Sequence, residues 1–424
     1  MADVRPLEAI RYAPATDLSL TLCPPFDTIS PEEQRRLYDL SPVNAVRLEL
    51  PAAADGDRYQ SAARTLQAWL ADGVLVRDKS PAFYVFQQEF RHGDVAYRRT
   101  VLFARLRLEP WETGVVLPHE RTFRGPKVDR LNLLRALRLN TSPVFLMYAD
   151  SRREIAPLLA QALGECPDAE FADAQGLSQR LVRVDGPDLI AAVCGGLSGE
   201  KLYVADGHHR YETALAFRDE SAGAAGERPQ DFALAALAAV SDPGLLVLPI
   251  HRLVGVNLPP TRALDSLRRL FDIDAQVSLH GLLAEMSARG ETINVFGLAF
   301  HGLPDLYLLT LRDPESAGHY LPAERSPAWR RLDAAIADHV VLRGVLGLTE
   351  GQMEDIRTVW YSEDAEATVA EVRSGRAGCA LLLNPLPPPR VLAVADAGER
   401  MPQKSTFFYP KIPTGLVFNP LFQR

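Results

Sequence analysis

The chain has 424 residues, 47% of them hydrophobic and 24% charged, and a net charge of −8. That length holds two or three compact domains, and the acidic balance excludes bulk-charge binding of nucleic acid or an anionic membrane while leaving room for local positive charge around a small anion. Four cysteines, with no CxxC pair, exclude a dense disulfide scaffold and a close-spaced zinc site, and with no apolar run of about 18 residues and no apolar leader in MADVRPLEAIRY the expectation is a cytoplasmic protein with neither a membrane nor a nucleic-acid partner.

In chain order, LCPPFDTIS (22–30) reads as a loop, because its prolines forbid a regular ladder. SPEEQRRLYDL follows as a helix, with Ser30 as N-cap, Pro31 at the first position and Glu32 and Glu33 at the positive end. RYQSAARTLQAWLADG (58–73) has helical spacing and stops at Gly73. Residues 82–109 alternate as two aromatic-rich strands about the turn HGD. After the polar run PHERTFRGPKVDR (118–130) come a helix over about 129–139 and the strand VFLMY. Residues 150–200 read as α/β, with helices near 153–163 and 186–197, and KLYVAD (201–206) is a buried strand leading into a helix over 211–220. DFALAALAAV reads as a helix on its alanines, and LLVLPIHRLV as a strand. Beyond 258 the predicted elements are the helix TRALDSLRRLF, the strands INVFGLAF and DLYLLTL, the helix WRRLDAAIADHVVLRGVLG and the strand CALLLNP. The last part, ERMPQKSTFFYPKIPTGLVFNPL, has too many prolines for a helix. The fold class is α/β or α+β with mixed sheets: a motif-bearing domain over 1–256 and a smaller α/β domain over 257–424, whose segment 399–424 returns to the site.

Three stretches have the composition of a site. The first is YVADGHHRYET (203–213), a buried strand running through Asp206, Gly207, His208, His209 and Arg210 into a helix. Side chains at a strand's C-terminal end project into a cleft, and the next helix aims free N–H groups at it. Gly207 permits a tight turn. Arg210 fits a bidentate phosphate clamp, and Asp206 fits either a metal ligand, with His209 beside it, or a base. Consecutive helical residues lie about 100° apart, so His208 and His209 face one ligand only from an extended turn. The bland alternative has one histidine capping and the other packing.

The second stretch is 118–130, where His119, Arg121, Thr122, Arg124, Lys127 and Arg130 surround Glu120 and Asp129. Guanidinium, ammonium and hydroxyl donors suit phosphate esters, and Glu120 fits a general base for an attacking hydroxyl. The alternative is a solvated charged loop. The third is MPQKSTFFYPK (401–411), whose Lys404, Ser405, Thr406 and Lys411 suit phosphate but lack P-loop glycine spacing. A strand packing Phe407 and Tyr409 is the alternative. Asp27 in CPPFDTI has no evident partner and reads as structural, as does the His251–Arg252 pair. GxGxxG, HExxH and GxSxG are absent.

PHERT with PKVDR, YVADGHHRYETAL and MPQKSTFFYPK, in that order and behind PPFDTIS and NAVRLEL, resemble a bacterial and archaeal family catalogued as domain of unknown function 1015. More distantly, DGHHR after a strand resembles the phosphate-holding turn of the ParB/sulfiredoxin superfamily, which includes CTP-binding partition proteins, ATP-using sulfiredoxins and free-serine kinases. That resemblance implies a ParB/sulfiredoxin-like core. It implies that Asp206, Gly207, His208, His209 and Arg210 contact phosphate and metal, and that Glu120 resembles the kinases' catalytic carboxylate. No cysteine stands beside the turn, which argues against sulfinic-acid reduction, and no helix-turn-helix basic region follows.

The expected function is a nucleotide-dependent phosphotransferase acting on a small hydroxylated metabolite, free serine included. Its catalytic residues would be Glu120, Asp206, His208 and His209. Its nucleotide (ATP, ADP or CTP) would meet His119, Arg121, Thr122, Lys127, Arg130, Gly207, Arg210, Lys404, Ser405 and Thr406, with Mg²⁺ on Asp206 and His209. A phosphatase or nucleotidase using water at the same residues, and a nucleotide-binding switch with slow hydrolysis, remain open alternatives. A small phosphorylated molecule is the expected partner, and a homodimer is compatible with the switch.

Overall fold

The structure is a computed structural model describing residues 1–52, 56–120, 124–173, 175–220, 226–256 and 258–422. It is a mixed α/β protein that divides into two compact units. The first comprises Met1–Pro118, Thr122–Leu246 and Pro410–Arg424, and the second His119–Arg121 with Val247–Tyr409. The second unit is thus an insertion into the first along the chain, with joints at Leu246 and Pro410.

The first unit is built on a nine-stranded sheet. Its strands are β1 (Val4–Arg5), β2 (Phe83–His92), β3 (Val95–Arg107), β4 (Val116–Leu117), β5 (Val144–Tyr148), β6 (Ala169–Ala172), β7 (Ser178–Val184), β8 (Leu202–Asp206) and β9 (Phe232–Ala239). They run in the order β4–β8–β5–β9–β3–β2–β7–β6, with β1 added alongside β3. β2 and β3 form the predicted hairpin, turning at Gly93 with φ 57°.

β9 is the largest departure from the sequence-based expectation. DFALAALAAV was expected to be helical, but Phe232–Ala239 is a fully buried strand, parallel to β5 and antiparallel to β3. Alanine's helix preference amounts to a few tenths of a kcal/mol per residue, which two ladders of backbone hydrogen bonds override.

Six helices matter to this unit: α1 (Pro31–Leu40), α2 (Val46–Glu49), α3 (Arg58–Ala71), α4 (Arg124–Leu137), α5 (Pro187–Ser198) and α6 (His208–Glu220). Ser30 caps α1 as expected, its side chain accepting from Glu33 N at 3.1 Å. α6 begins three residues earlier than the predicted 211, so the paired histidines are its first two residues. One core cluster joins the sheet to α5 and α6 through Leu102, Leu146, Val193, Val204 and Tyr211. A second gathers Tyr12, Leu37, Leu66, Trp69, Leu133 and Phe418. Phe418 comes from the end of the chain, which returns to this unit through the Ile10–Phe418 and Cys23–Thr414 bridges and the pairing of Asn419–Pro420 with Leu139–Asn140.

The second unit holds a six-stranded antiparallel sheet of β10 (His251–Val254), β11 (Phe271–Gln276), β12 (Val295–Phe300), β13 (Leu306–Leu311), β14 (Val359–Ser362) and β15 (Cys379–Leu382), ordered β11–β13–β12–β15–β10–β14. Helices α7 (Leu279–Gly290) and α8 (Ala365–Arg373) cover it with Leu282, Met286, Val369 and Val372. The predicted long helix over 329–347 is broken into short turns and then a π-helix, Ile336–Val345, whose i→i+5 pattern ends with Leu346 N bonded to Val341 O at 2.9 Å. Asp338 of this π-helix accepts from buried Arg252 Nε at 3.0 Å. Among the described residues no helix is long and apolar enough to cross a membrane.

Candidate functional site

The end of β8 is set by its sequence. LYVA is apolar and buried, and pairs with β5 through Tyr203–Met147 and Val204–Leu146. The register then slips, and Asp206 falls opposite Phe145. A bulge of this kind re-aims one side chain at the end of a strand, here the Asp206 carboxylate. Gly207 follows at φ 91°, a left-handed conformation that glycine takes without steric cost. A Cβ there would stand 3.0 Å from the Arg210 guanidinium carbon. Gly207 therefore makes the sharp turn and lets Arg210 fold back over it. α6 starts at once, its first helical bond running from Tyr211 N to Gly207 O at 3.0 Å.

Two cations converge on one oxygen of Asp206. Arg210 Nη2 donates to Oδ2 at 3.0 Å, and Lys411 Nζ lies 3.5 Å from the same atom. Burial alone would raise the Asp206 carboxyl, but Lys411, Arg210 and His208 outweigh it and hold the group well below the carboxylate range. Lys411 is positioned from behind. Fully buried Arg99 donates through Nη2 to Pro410 O at 2.7 Å and to Gln88 Oε1 at 2.6 Å. Burial brings the Arg99 pKa down to about 10, with Asp242 opposing.

Asp27 belongs to this cluster, although its sequence context gave no sign of it. It lies in the short turn Phe26–Thr28 and keeps access to solvent. The protein crowding around it, and then Asp206, push its carboxyl up, against Arg210 and Lys411. A carboxyl that is both accessible and raised is suited to exchanging a proton.

His208 is buried, 6% exposed, and His209 is half-buried. As neighbours in a regular helix they point about 100° apart, so they do not share a ligand face. Burial pushes the His209 imidazole down, with Lys127 and Arg210 adding to the effect and Glu212 opposing it.

Of the predicted cations of 124–130, Lys127 and Arg130 are engaged. Lys127 pairs with Glu212. Buried Arg130 donates through Nε to Asp129 at 2.8 Å and through Nη1 to Glu49 O at 2.5 Å, and it stacks 4.2 Å from the Phe26 ring centre. Arg121 and Thr122 lie outside the described residues.

A separate cluster lies in the second unit, where two of the predicted stretches come together. His119 Nε2 is 3.1 Å from Thr406 Oγ1, and His119 O accepts from Met401 N at 2.8 Å. Glu120 O accepts from Arg400 Nη1 at 2.9 Å, and Glu120 Oε1 accepts from Lys404 N at 3.4 Å. Lys404 has φ 56°, and Ser405 Oγ donates to Pro402 O at 2.6 Å. Among the described residues no three His, Cys, Asp or Glu side chains gather as a metal site. The Asp206 oxygen is already shared by two cations, so the donor set at Asp206 and His209 does not fit a divalent ion held by protein alone.

A family model described as "Protein of unknown function (DUF1015)" matches residues 4–335. No curated protein matches. The chain is similar to a solved free serine kinase, a glutamate-to-glutamine mutant in complex with AMP, at 12% identity, with 76% of this chain and 94% of that one covered and a TM-score of 0.35. It is similar to a conserved hypothetical protein from Pyrococcus furiosus at 12% identity over 76% and 97% of the two chains, TM-score 0.34. It is also similar to C-terminally truncated SbnI from Staphylococcus aureus at 12% identity over 75% and 87%, TM-score 0.34.

Proposed function

The chain belongs to DUF1015, a family whose description assigns no activity, and from that premise we propose that it is a nucleotide-dependent phosphotransferase acting on a small hydroxylated metabolite. The observation that carries this reading is the convergence of Arg210 and Lys411 on Asp206 at the start of α6. Asp206 holds both cations ready at a helix N-terminus. An incoming phosphate group accepts from the same cations and from the helix N–H groups, so the site is preorganised for an anion. Among the described residues, the buried donor Arg210 Nε has no hydrogen-bond partner.

Phosphoryl transfer asks chiefly for positioning and for neutralising charge. The bond from the terminal phosphorus to the nucleotide oxygen breaks, and a bond from phosphorus to the acceptor hydroxyl oxygen forms. The hydroxyl proton passes to a carboxylate. Asp27 suits that role through its accessibility and raised pKa; Glu120, in the second unit, is the competing choice. No step is routed through a metal.

The test is titration calorimetry with ADP, ATP and CTP. Lys411→Met should weaken binding of the preferred nucleotide at least tenfold while the circular dichroism spectrum stays unchanged. Equal affinity in that variant would remove the Asp206 cluster as the phosphate site.

A further inference from the structure

The second unit has a cavity of its own, of about 540 Å³, and every lining residue belongs to that unit. Its polar lining is Thr292, Asn294, Arg312, Arg331 and Arg390, and none of the lining residues is acidic or aromatic. Ile293 and Leu311 are among the apolar ones. Each arginine arrives on a different segment. Arg312 directly follows β13, Arg331 follows the short helix Pro327–Arg330, and Arg390 stands in the first turn of the helix Pro388–Asp396. The two prolines that open this last helix preset its backbone, which places Arg390. The other walls are pinned by hydrogen bonds. Leu311 N donates to Asn294 O at 3.0 Å and Arg312 N to Leu270 O at 3.1 Å. Asn294 Nδ2 donates to Arg331 O at 3.1 Å and to Asp333 Oδ1 at 2.5 Å.

The three guanidiniums are only partly satisfied. Arg312 Nε donates to Asp272 Oδ1 at 2.6 Å, in an ion pair open to solvent on both sides. Arg390 Nη2 donates to Glu291 O at 3.2 Å, a neutral carbonyl. Among the described residues the Arg331 guanidinium has neither a hydrogen bond nor an ion pair. Cations that line one cavity repel one another, and a ligand with several negative groups relieves that repulsion while each guanidinium fork takes a carboxylate or a phosphate. We propose that this cavity binds a compact organic polyanion with two or more carboxylate or phosphate groups, at a site separate from the Asp206 cluster. The inference does not depend on the phosphotransferase reading. The volume falls within the roughly 300–1,000 Å³ of small-molecule sites. The lining has no aromatic ring to serve as a stacking platform for a base, which disfavours a second nucleotide. Three arginines on three fixed segments favour a ligand with more than one charged group over a single anion.

The experiment is calorimetry and thermal shift on the full chain with citrate and fructose 1,6-bisphosphate as probes, acetate and inorganic phosphate as single-group controls, and ADP in parallel. A ligand that binds only the folded state raises its apparent stability. Citrate or fructose 1,6-bisphosphate should bind at least tenfold more tightly than its control, and whichever does so tells carboxylate from phosphate. Arg331→Gln and Arg390→Gln should each weaken that probe at least tenfold and leave the ADP titration within twofold of the parent. Arg331 is exposed, so its variant keeps the fold, which circular dichroism checks. Lys411→Met should leave the probe's affinity within twofold. Binding no tighter than the controls, or unchanged affinity in Arg331→Gln, overturns the proposal. Loss of the probe in Lys411→Met with retention in both arginine variants also overturns it and assigns the polyanion to Asp206. Failure of ADP alone to bind sinks the phosphotransferase reading and leaves this site standing.

Discussion

Under the proposed phosphotransferase reading, Asp27 and Glu120 are the two candidates for the carboxylate that takes the proton. Asp27 stands among Asp206, Arg210 and Lys411, where crowding and the neighbouring carboxylate raise its pKa. Once a phosphotransfer assay is in hand, Asp27→Asn should lower kcat at least 100-fold and leave nucleotide affinity within about threefold; Glu120→Gln should leave kcat within about threefold. The opposite pattern would move the base to Glu120. The sign of the pH effect follows from the raised pKa. The base works only when ionised, so the acid limb of the kcat profile should sit above the ordinary carboxylate range and vanish in Asp27→Asn. Motif chemistry made Asp206, Gly207 and Arg210 legible, because all three lie within five residues of one strand end. Asp27 was not legible, since its partners Asp206, Arg210 and Lys411 lie in distant parts of the chain and only folding brings them together. Lys127 and Arg130 show the converse: their charge was plain in the sequence, but their neutralisation by Glu212 and Asp129 was not.

Between residue and molecule, the junction of β8 and α6 governs the site. Gly207→Ala adds a Cβ at φ 91°, 3.0 Å from the Arg210 guanidinium. It should cost about 1–2 kcal/mol of stability and weaken nucleotide binding, measured by urea unfolding and calorimetry; an unchanged unfolding midpoint would show that the turn relaxes freely. Arg99 acts one step further out, through the carbonyl of Pro410. Arg99→Met should lower nucleotide affinity through a misplaced Lys411, and combining it with Lys411→Met should add little further loss, since positioning residues act through their partner. Full additivity would mean that Arg99 serves another role. Most elements followed from periodicity and caps, as at Ser30 and in the hairpin about Gly93. β9 did not: an alanine-rich run gives no two-residue alternation when both faces are buried, so its ladder partners β3 and β5 decide its state. The bulge at the end of β8 has no sequence signature either, although it aims the main carboxylate of the site.

For the molecule as a whole, pH dependence is divided between opposing buried groups of the second unit. Asp333 is raised to about 6 by burial, with Asn294 donating to it. A raised acid prefers its proton in the folded state, so its stabilisation is present below about pH 4 and lost as pH rises through about 6. His251 is lowered to about 4 by burial, with Arg252 adding to the shift. Its contribution is present above about 6.5 and lost as pH falls towards 4. Between those limits the two slopes run in opposite directions and largely cancel. Asp333→Asn should therefore raise stability near neutral pH by about 1–2 kcal/mol and uncover a curve that climbs from pH 4 to 6.5; a flat curve in the variant would contradict the His251 assignment. Composition and motif order made the class of fold legible, while the joints at Leu246 and Pro410 depend on contacts that no local pattern encodes. The insertion has a consequence for how the protein is made. Lys411 completes the charge cluster at Asp206, and the bridges at Cys23 and Ile10 wait for Thr414 and Phe418. On the ribosome, everything from Val247 to Tyr409 is synthesised before those partners emerge. A nascent or prematurely terminated chain therefore carries the DGHHR turn without Lys411 beside Asp206.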